Sequence, residues 1–382
     1  MSLSVLVTGA AGMLGRKLAA ALTGTTELAG RRIARLTLTD LEMPAPSAVS
    51  GASATAGAPV AAGAPVTAGA PVTAGASATS SASATSGASA VSGAPAPVLQ
   101  TLGADIATPG LAAALVESQP HVIFHLAAVV SGEAEADFEK GYRINLEATR
   151  SLFEAIRARG PGYRPRVVLA SSIAVFGPPL PDTIDDSQRL APLSSYGTQK
   201  AIGEMLLADY SRRGFLDGIA LRLPTISIRP GSSNRAMSGF FSSILREPLN
   251  GRPAVLPVSD TVRHWFASPR AAAQFLMHAA GIDSARLGSE RSLNMPGLSA
   301  TVADQIAALR RAAGEHAVEL IRREPNPAIE AMIESWPRQI DGARAQALGF
   351  RAESSFDEII RTYIEDELGG RLPSGMQRSH DS

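Results

Sequence analysis

The residues with the most evident chemical use are Tyr196 and Lys200, four positions apart, with Ser172 upstream of them. On a helix, positions i and i+4 share a face, so the phenol and the ammonium stand on the same side. A free phenol titrates near about 10, and a cation held a few ångströms away favours the phenolate. Such a phenol can exchange a proton with a substrate hydroxyl near neutral pH, as a general base must. Ser172 adds a hydroxyl that can hydrogen-bond the same substrate oxygen. A Tyr-x-x-x-Lys pair alone also occurs on ordinary solvated helix faces. Its meaning here comes from the serine placed at strand-to-helix distance and from a phosphate-binding turn at the start of the chain.

These side chains need elements to hold them. Val167 to Ala170 is an apolar run that reads as a buried strand, with Ser171 and Ser172 at its C-terminal end. Ser194-Ser195 opens the helix carrying Tyr196 and Lys200, which runs to about Arg213 and stops at Gly214. Earlier, the apolar Ser4–Thr8 leads into Gly9-Ala-Ala-Gly12-Met13-Leu14-Gly15 and a helical pattern. Glycines at this spacing let the backbone turn tightly, approach a pyrophosphate and pack a helix on the sheet. The amide dipoles at the helix start then face the phosphates. Leu36 to Thr39 reads as the second strand and ends at Asp40. A carboxylate there accepts hydrogen bonds from the adenosine ribose and repels a 2′-phosphate, which points to NAD. The plainer role is a turn-capping Asp, and Arg16, Arg31 and Arg32 are the residues that would favour a 2′-phosphate instead. Val122 to Leu126 is a further buried strand whose end, Leu126-Ala127-Ala128, is small enough for a cofactor to come close. His121 and His125 sit four apart on that strand, a spacing that makes no metal site.

Composition removes several classes. Lys+Arg and Asp+Glu balance at 35 each among 382 residues, so no nucleic-acid or anionic-membrane partner is expected. There is no cysteine, which excludes disulfides, thiolate nucleophiles and Cys-based zinc sites. With no basic leader at Met1 and no long apolar span, a cytoplasmic location is the expectation. From 45 to 98 the composition turns to Ala, Gly, Ser, Thr, Pro and Val, with Gly-Ala-Pro-Val repeated at Gly57, Gly63 and Gly69. Such a segment cannot bury enough apolar surface to offset its ordering entropy, and it reads as a disordered insertion. Three imperfect repeats are too few for a β-helix.

Together, Ser172, Tyr196 and Lys200 resemble the catalytic set of the short-chain dehydrogenase/reductase superfamily, and the glycine spacing resembles its extended subgroup. The resemblance covers most of the chain outside 45–98 and the tail. It implies an α/β fold, a Rossmann-type doubly wound parallel sheet with a smaller C-terminal substrate-binding cap. The expected division is a nucleotide-binding domain over 1–225 and a cap over 226–368, with one helix (268–281) returning to the first domain and a disordered tail over 369–382. It implies that Asp105 and Ile106 meet the adenine, that Met13, Leu14, Pro224 and Ile226 complete the cofactor contacts, and that Lys200 binds the nicotinamide ribose and lowers the pKa of Tyr196. Asn145 resembles the fourth catalytic member, which props up its helix. The helices around 137–156 and 195–213 resemble the pair through which such chains dimerise, so a homodimer is expected.

Four stretches (171–177, 194–200, 221–231 and Arg263-His264-Trp265) resemble the D-erythronate dehydrogenase family more narrowly. That likeness implies NAD-dependent oxidation of the C2 hydroxyl of a four-carbon sugar acid, with Tyr196 as proton acceptor and Ser172 orienting the hydroxyl. A substrate carboxylate calls for an arginine fork. The candidates are Arg229 and Arg263, with Arg263 favoured; Arg222, within a strand, is expected to satisfy backbone carbonyls instead. A sugar-nucleotide epimerase or dehydratase, or another sugar or polyol dehydrogenase, would use the same triad. A redox-sensing binding protein of this fold would keep the glycine turn and discard the triad.

Overall fold

The computed structural model describes residues 2–42, 54–56, 96–231 and 237–373. In chain order the first half contains β1 (Leu3–Thr8), α1 (Met13–Thr25), β2 (Glu27–Leu28), β3 (Arg31–Asp40), β4 (Ala54–Ala56), β5 (Val98–Gly103), α2 (Leu111–Glu117), β6 (Val122–His125), α3 (Ser131–Ala136), α4 (Phe138–Gly141), α5 (Ala148–Ala158), β7 (Arg166–Ser172), α6 (Ser195–Arg212) and β8 (Asp217–Leu223). The second half adds β9 (Thr225–Ile226), α7 (Gly239–Leu249), β10 (Ala254–Leu256), β11 (Arg263–Ala267), α8 (Pro269–Gly281), β12 (Ser292–Asn294), β13 (Leu298–Thr301), α9 (Val302–Ala313), α10 (Glu315–Glu319), β14 (Ile321–Arg323), α11 (Pro327–Glu334), α12 (Ala343–Ala347) and α13 (Phe356–Glu367).

The main sheet runs β12-β8-β7-β6-β1-β3-β5-β4 with every pairing along it parallel; only β2, a short ribbon on β3, is antiparallel. Both faces are covered, which is why its strands read as nearly unbroken apolar runs. Val5, Val7, Phe124, Val168 and Leu221 pack with Leu18, Leu22, Phe275 and Leu276 of α1 and α8. Their alternates Leu6, Ile123, Val167 and Leu169 pack with Leu115, Phe153 and Leu207 of α2, α5 and α6. The fold is therefore the doubly wound Rossmann type expected from the sequence. The strand order reverses between β1 and β6, and in such sheets the crevice beyond the carboxyl ends at that point is where ligands bind.

A second core forms around Phe241, Leu245, Phe266, Leu309, Phe356 and Ile360, all of its residues coming after 226. Its scaffold is the sheet β13-β11-β9 and the pair β10-β14. Helix α9 is fixed at its start by a reciprocal capping box between Thr301 and Asp304. The second half also returns to the main sheet, through α8 and also through the edge strand β12.

Three local outcomes differ from the sequence reading. The helix expected around 137–156 is interrupted by a π-helical turn at Tyr142–Glu147, and a separate short helix α3 precedes it. Strand β3 begins five residues before Leu36 because Arg31–Arg35 pairs with β2 and then with β1. Ala54–Ala56, inside the low-complexity segment, pairs in parallel with Leu99–Thr101. Backbone pairing of this kind needs no apolar side chain. The rest of that segment and the tail from 374 lie outside the described residues.

Candidate active site

The helix α6 is aimed by its first turn. Ser194 accepts a hydrogen bond from the Gly197 amide (3.1 Å) and caps the helix. A Cβ on Gly197 would stand 2.2 Å from the Ala174 carbonyl oxygen, so only glycine lets the helix start press against the turn after β7. That contact brings Tyr196 beside Ser172, whose hydroxyl acts on the phenol. Ser172 also accepts from the Ala174 amide at 3.1 Å.

Lys200 lies one turn on, its Nζ 5.6 Å from the Tyr196 ring centre, and it donates to the Ala170 carbonyl (2.9 Å). Burial pushes its pKa down to about 8, against the opposing pull of Glu204. The electrostatics of Tyr196 differ from the sequence expectation. Burial holds its phenol above the usual value, and the groups that oppose this are Ser172, by hydrogen bond, and the positive Arg229. The ammonium's hydrogen bond is directed at Ala170 rather than at the phenol.

Asn145 stands on the π-helical turn, a device frequent at functional sites. It accepts from the Val129 amide (2.8 Å), donates back to the Val129 carbonyl (3.2 Å), and donates to Gln199 of α6 (2.7 Å). It thus ties the loop after β6 to the helix of Tyr196. Behind it, Thr8, His125 and Thr149 form a buried chain with 2.8 Å links. Burial, then the charge of Lys200, pushes the His125 pKa down to about 3, so its imidazole is neutral. Among the described residues Arg222 satisfies no backbone carbonyl; it pairs with buried Glu204 at 2.8 Å, which also accepts from Ser171 at 2.5 Å.

One cavity of about 540 Å³ opens above the reversal point. Its lining includes Gly9, Gly12, Met13, Leu14, Gly15, Leu126 and Ala128. Ser172, Tyr196, Lys200, Pro224, Ile226 and Arg229 line the same cavity. The glycine turn is tightly wound against the start of α1: a Cβ on Gly15 would lie 2.1 Å from the Gly9 carbonyl oxygen. Asp40 accepts from the Ala11 amide (2.8 Å) and the Leu41 amide (2.7 Å), fixing the carboxylate where β3 ends beside that loop. Asp40, Asp105, Ile106 and Ala127 lie outside the cavity lining. Asp105 is paired with Arg143 at 2.7 Å, and Ile106 packs on the core beneath the sheet.

Arg263 is not brought to the cavity. It begins β11 on the exposed side, and the alternation of that strand turns His264 inward in its place. Arg229 does reach the cavity: its Nε donates to the Ile226 carbonyl (2.9 Å) and its Nη2 to Ser238 (2.7 Å). The lining also includes Ser242, Arg246, Met332, Ser335, Trp336 and Pro337, none singled out from the sequence. They lie far along the chain from the triad and carry no local motif, so only folding assembles them. Among the described residues no group of three or more His, Cys, Asp or Glu side chains is arranged to hold a metal, and no helix is long and apolar enough to cross a membrane.

A doubly wound sheet with a glycine loop at its reversal point and a Ser-Tyr-Lys set facing the same cavity defines a nucleotide-cofactor enzyme. The chain belongs to the NAD dependent epimerase/dehydratase family, whose model matches residues 5–279, and its cofactor is NAD. It is 41% identical over 366 residues to D-erythronate dehydrogenase of Cupriavidus necator, covering 95% of this chain and 98% of that one. To the enzyme of the same name from Haemophilus influenzae it is 45% identical over 254 residues, 66% of this chain and 80% of that one. It is also similar to a solved structure described as the nucleoside-diphosphate-sugar epimerase from Agrobacterium tumefaciens, with 51% identity, 97% and 96% coverage and a TM-score of 0.81.

Proposed function

We propose that this chain is an NAD-dependent dehydrogenase that oxidises the C2 hydroxyl of a four-carbon sugar acid, D-erythronate, to the 2-oxo acid. The observation that carries the reading is Arg229. Its guanidinium lines the cavity, its charge is felt at Tyr196, and among the described residues it has no carboxylate partner. Burial disfavours its charged form. A substrate carboxylate would supply the missing counter-charge and, through the planar fork, fix the orientation of the acid.

The roles follow from position. Ser172 orients the substrate hydroxyl, and Tyr196 takes its proton. Lys200 binds the nicotinamide ribose, and Asn145 keeps the helix and the β6 loop in register. NAD, held at the glycine loop and Asp40, supplies the acceptor for the hydride that leaves C2. The acids named by the two curated relatives agree with this reading.

A second reading has its own support. The family includes epimerases, and the Agrobacterium structure is described as acting on nucleotide sugars. Following NADH absorbance with D-erythronate, other sugar acids, neutral polyols and UDP- and dTDP-sugars separates the two. Stoichiometric NADH from D-erythronate supports the dehydrogenase. Conversion of a nucleotide sugar without net NADH would replace it.

The same reading includes a nucleotide-binding unit over 1–225, to which the helix over 268–281 returns, with the rest of 226–368 mainly a cap, supported by the separate core of the second half, and a cytoplasmic homodimer. Phe138 on α4 and Met205 on α6 are 57% and 61% exposed, apolar surface that a second copy would cover.

A further inference from the structure

Hydrogen-bond direction in the cap is set by an atom with only one role. The Pro337 carbonyl oxygen can accept but never donate, and it lies 2.8 Å from His264 Nδ1. His264 Nδ1 must therefore carry the hydrogen. The ring is 1% exposed, stacked on Phe241 with centroids 5.2 Å apart and planes at 6°, and packed near Trp336. Burial pushes its pKa down to about 4, against the Pro337 bond and assisted by Arg229, so near neutral pH it holds a single proton. Nε2 is then a bare acceptor. It lies 2.7 Å from Thr225 Oγ1, and the only hydrogen available to that contact is the threonine's own.

Thr225 also lines the cavity. Its hydroxyl proton is committed to His264, so only its lone pairs are left for a ligand. We propose that Thr225 is a specificity-determining residue whose hydroxyl oxygen accepts a hydrogen bond from a substrate hydroxyl beyond the reacting carbon, with the Pro337–His264 pair fixing that polarity. This rests on the sugar-acid reading and sharpens it. Arg229 reads the carboxylate at one end, and Thr225 reads a hydroxyl further along the chain. A site built to bond a substrate hydroxyl discriminates against the analogue lacking it far better than an apolar pocket does against added bulk.

The test compares wild type, Thr225→Ser and Thr225→Val on D-erythronate and on its 3-deoxy and 4-deoxy analogues. Wild type and Thr225→Ser should prefer D-erythronate over one deoxy analogue by about 10–100-fold in kcat/KM, the scale of one lost neutral hydrogen bond with an unpaired partner. Thr225→Val, close in shape, should lose that preference by slowing on D-erythronate while changing little on the deoxy analogue. Retained discrimination, or an equal loss on both substrates, overturns the proposal. An independent readout needs no substrate. Histidine ¹⁵N spectra of the full chain, with His264 assigned by His264→Gln, should show a protonated Nδ1 and a bare Nε2; the opposite tautomer overturns the proposal. Failure of the wild type to oxidise any sugar acid would overturn the underlying reading, and the tautomer would still decide the direction of the Thr225 bond.

Discussion

Arg229 and Arg263 are both candidate partners for a carboxylate, and the structure separates them by position. Arg229 faces the cavity beside Tyr196, whereas Arg263 faces outward from the start of β11. Arg229→Ala should reduce kcat/KM on D-erythronate by about 10²-fold or more, the scale of a charge-assisted bidentate contact, and much less on any neutral polyol that is turned over. Arg263→Ala should stay within a few-fold, as surface charges do. Steady-state kinetics on both substrates checks the pair; an equal loss for the two variants would remove Arg229 from the carboxylate. Tyr196 carries the second prediction at this scale. Burial holds the phenol above its ordinary value, and a base works only when deprotonated, so kcat/KM for oxidation should rise with pH above neutrality. Tyr196→Phe should abolish that rise and lower turnover by about 10²–10⁴-fold, with NAD binding by fluorescence titration nearly unchanged.

Elements determine how accurately these residues meet. The start of α6 touches the turn after β7 at Gly197, where a Cβ would stand 2.2 Å from the Ala174 oxygen. Gly197→Ala should move the helix start and separate Tyr196 from Ser172. Misplacements near 1 Å cost about 10²-fold in rate, so kcat should fall by roughly that factor while NAD affinity holds. An alanine variant with wild-type turnover would show that the contact does not set the alignment. Strand β11 gives a pH prediction through His264. Its imidazole resists protonation down to about pH 4, whereas the unfolded chain takes up the proton near 6.5. Stability is therefore fully present above pH 6.5 and is lost as pH falls toward 4, by about 3 kcal/mol for this one group. His125, pushed to about 3, extends the loss to lower pH. Denaturant unfolding at pH 7, 5 and 4 should show the decline, and His264→Asn should flatten part of it.

For the whole molecule, the exposed Phe138 and Met205 lie on neighbouring helices of the main sheet's lower layer. Sedimentation at micromolar concentration should show a dimer, and Phe138→Glu with Met205→Glu should shift it toward the 39.5 kDa monomer. A wild-type protein that sediments only as monomer would count against assembly through this face.

The architecture of the main sheet is legible in the sequence because its signals are local. Apolar runs mark strands buried on both faces, the glycine loop follows β1 within a few residues, and the Tyr-Lys spacing is a property of a single helix. The substrate side of the cavity is different. Arg229, His264 and Pro337 are spread across more than a hundred residues and meet only when the second core folds over the sheet. Sequence could nominate two arginines, but choosing between them depended on which way a strand residue points, and pleat direction is set by packing on both faces. The level of Tyr196 was likewise out of reach. Neighbouring Lys200 suggested a lowered phenol, but burial outweighed charge, and burial belongs to the assembled fold. The one-dimensional pattern thus determined the class of chemistry, because the groups that perform it are close along the chain. Only the tertiary structure decided what the cavity accepts, because recognition is made by groups that are close only in space.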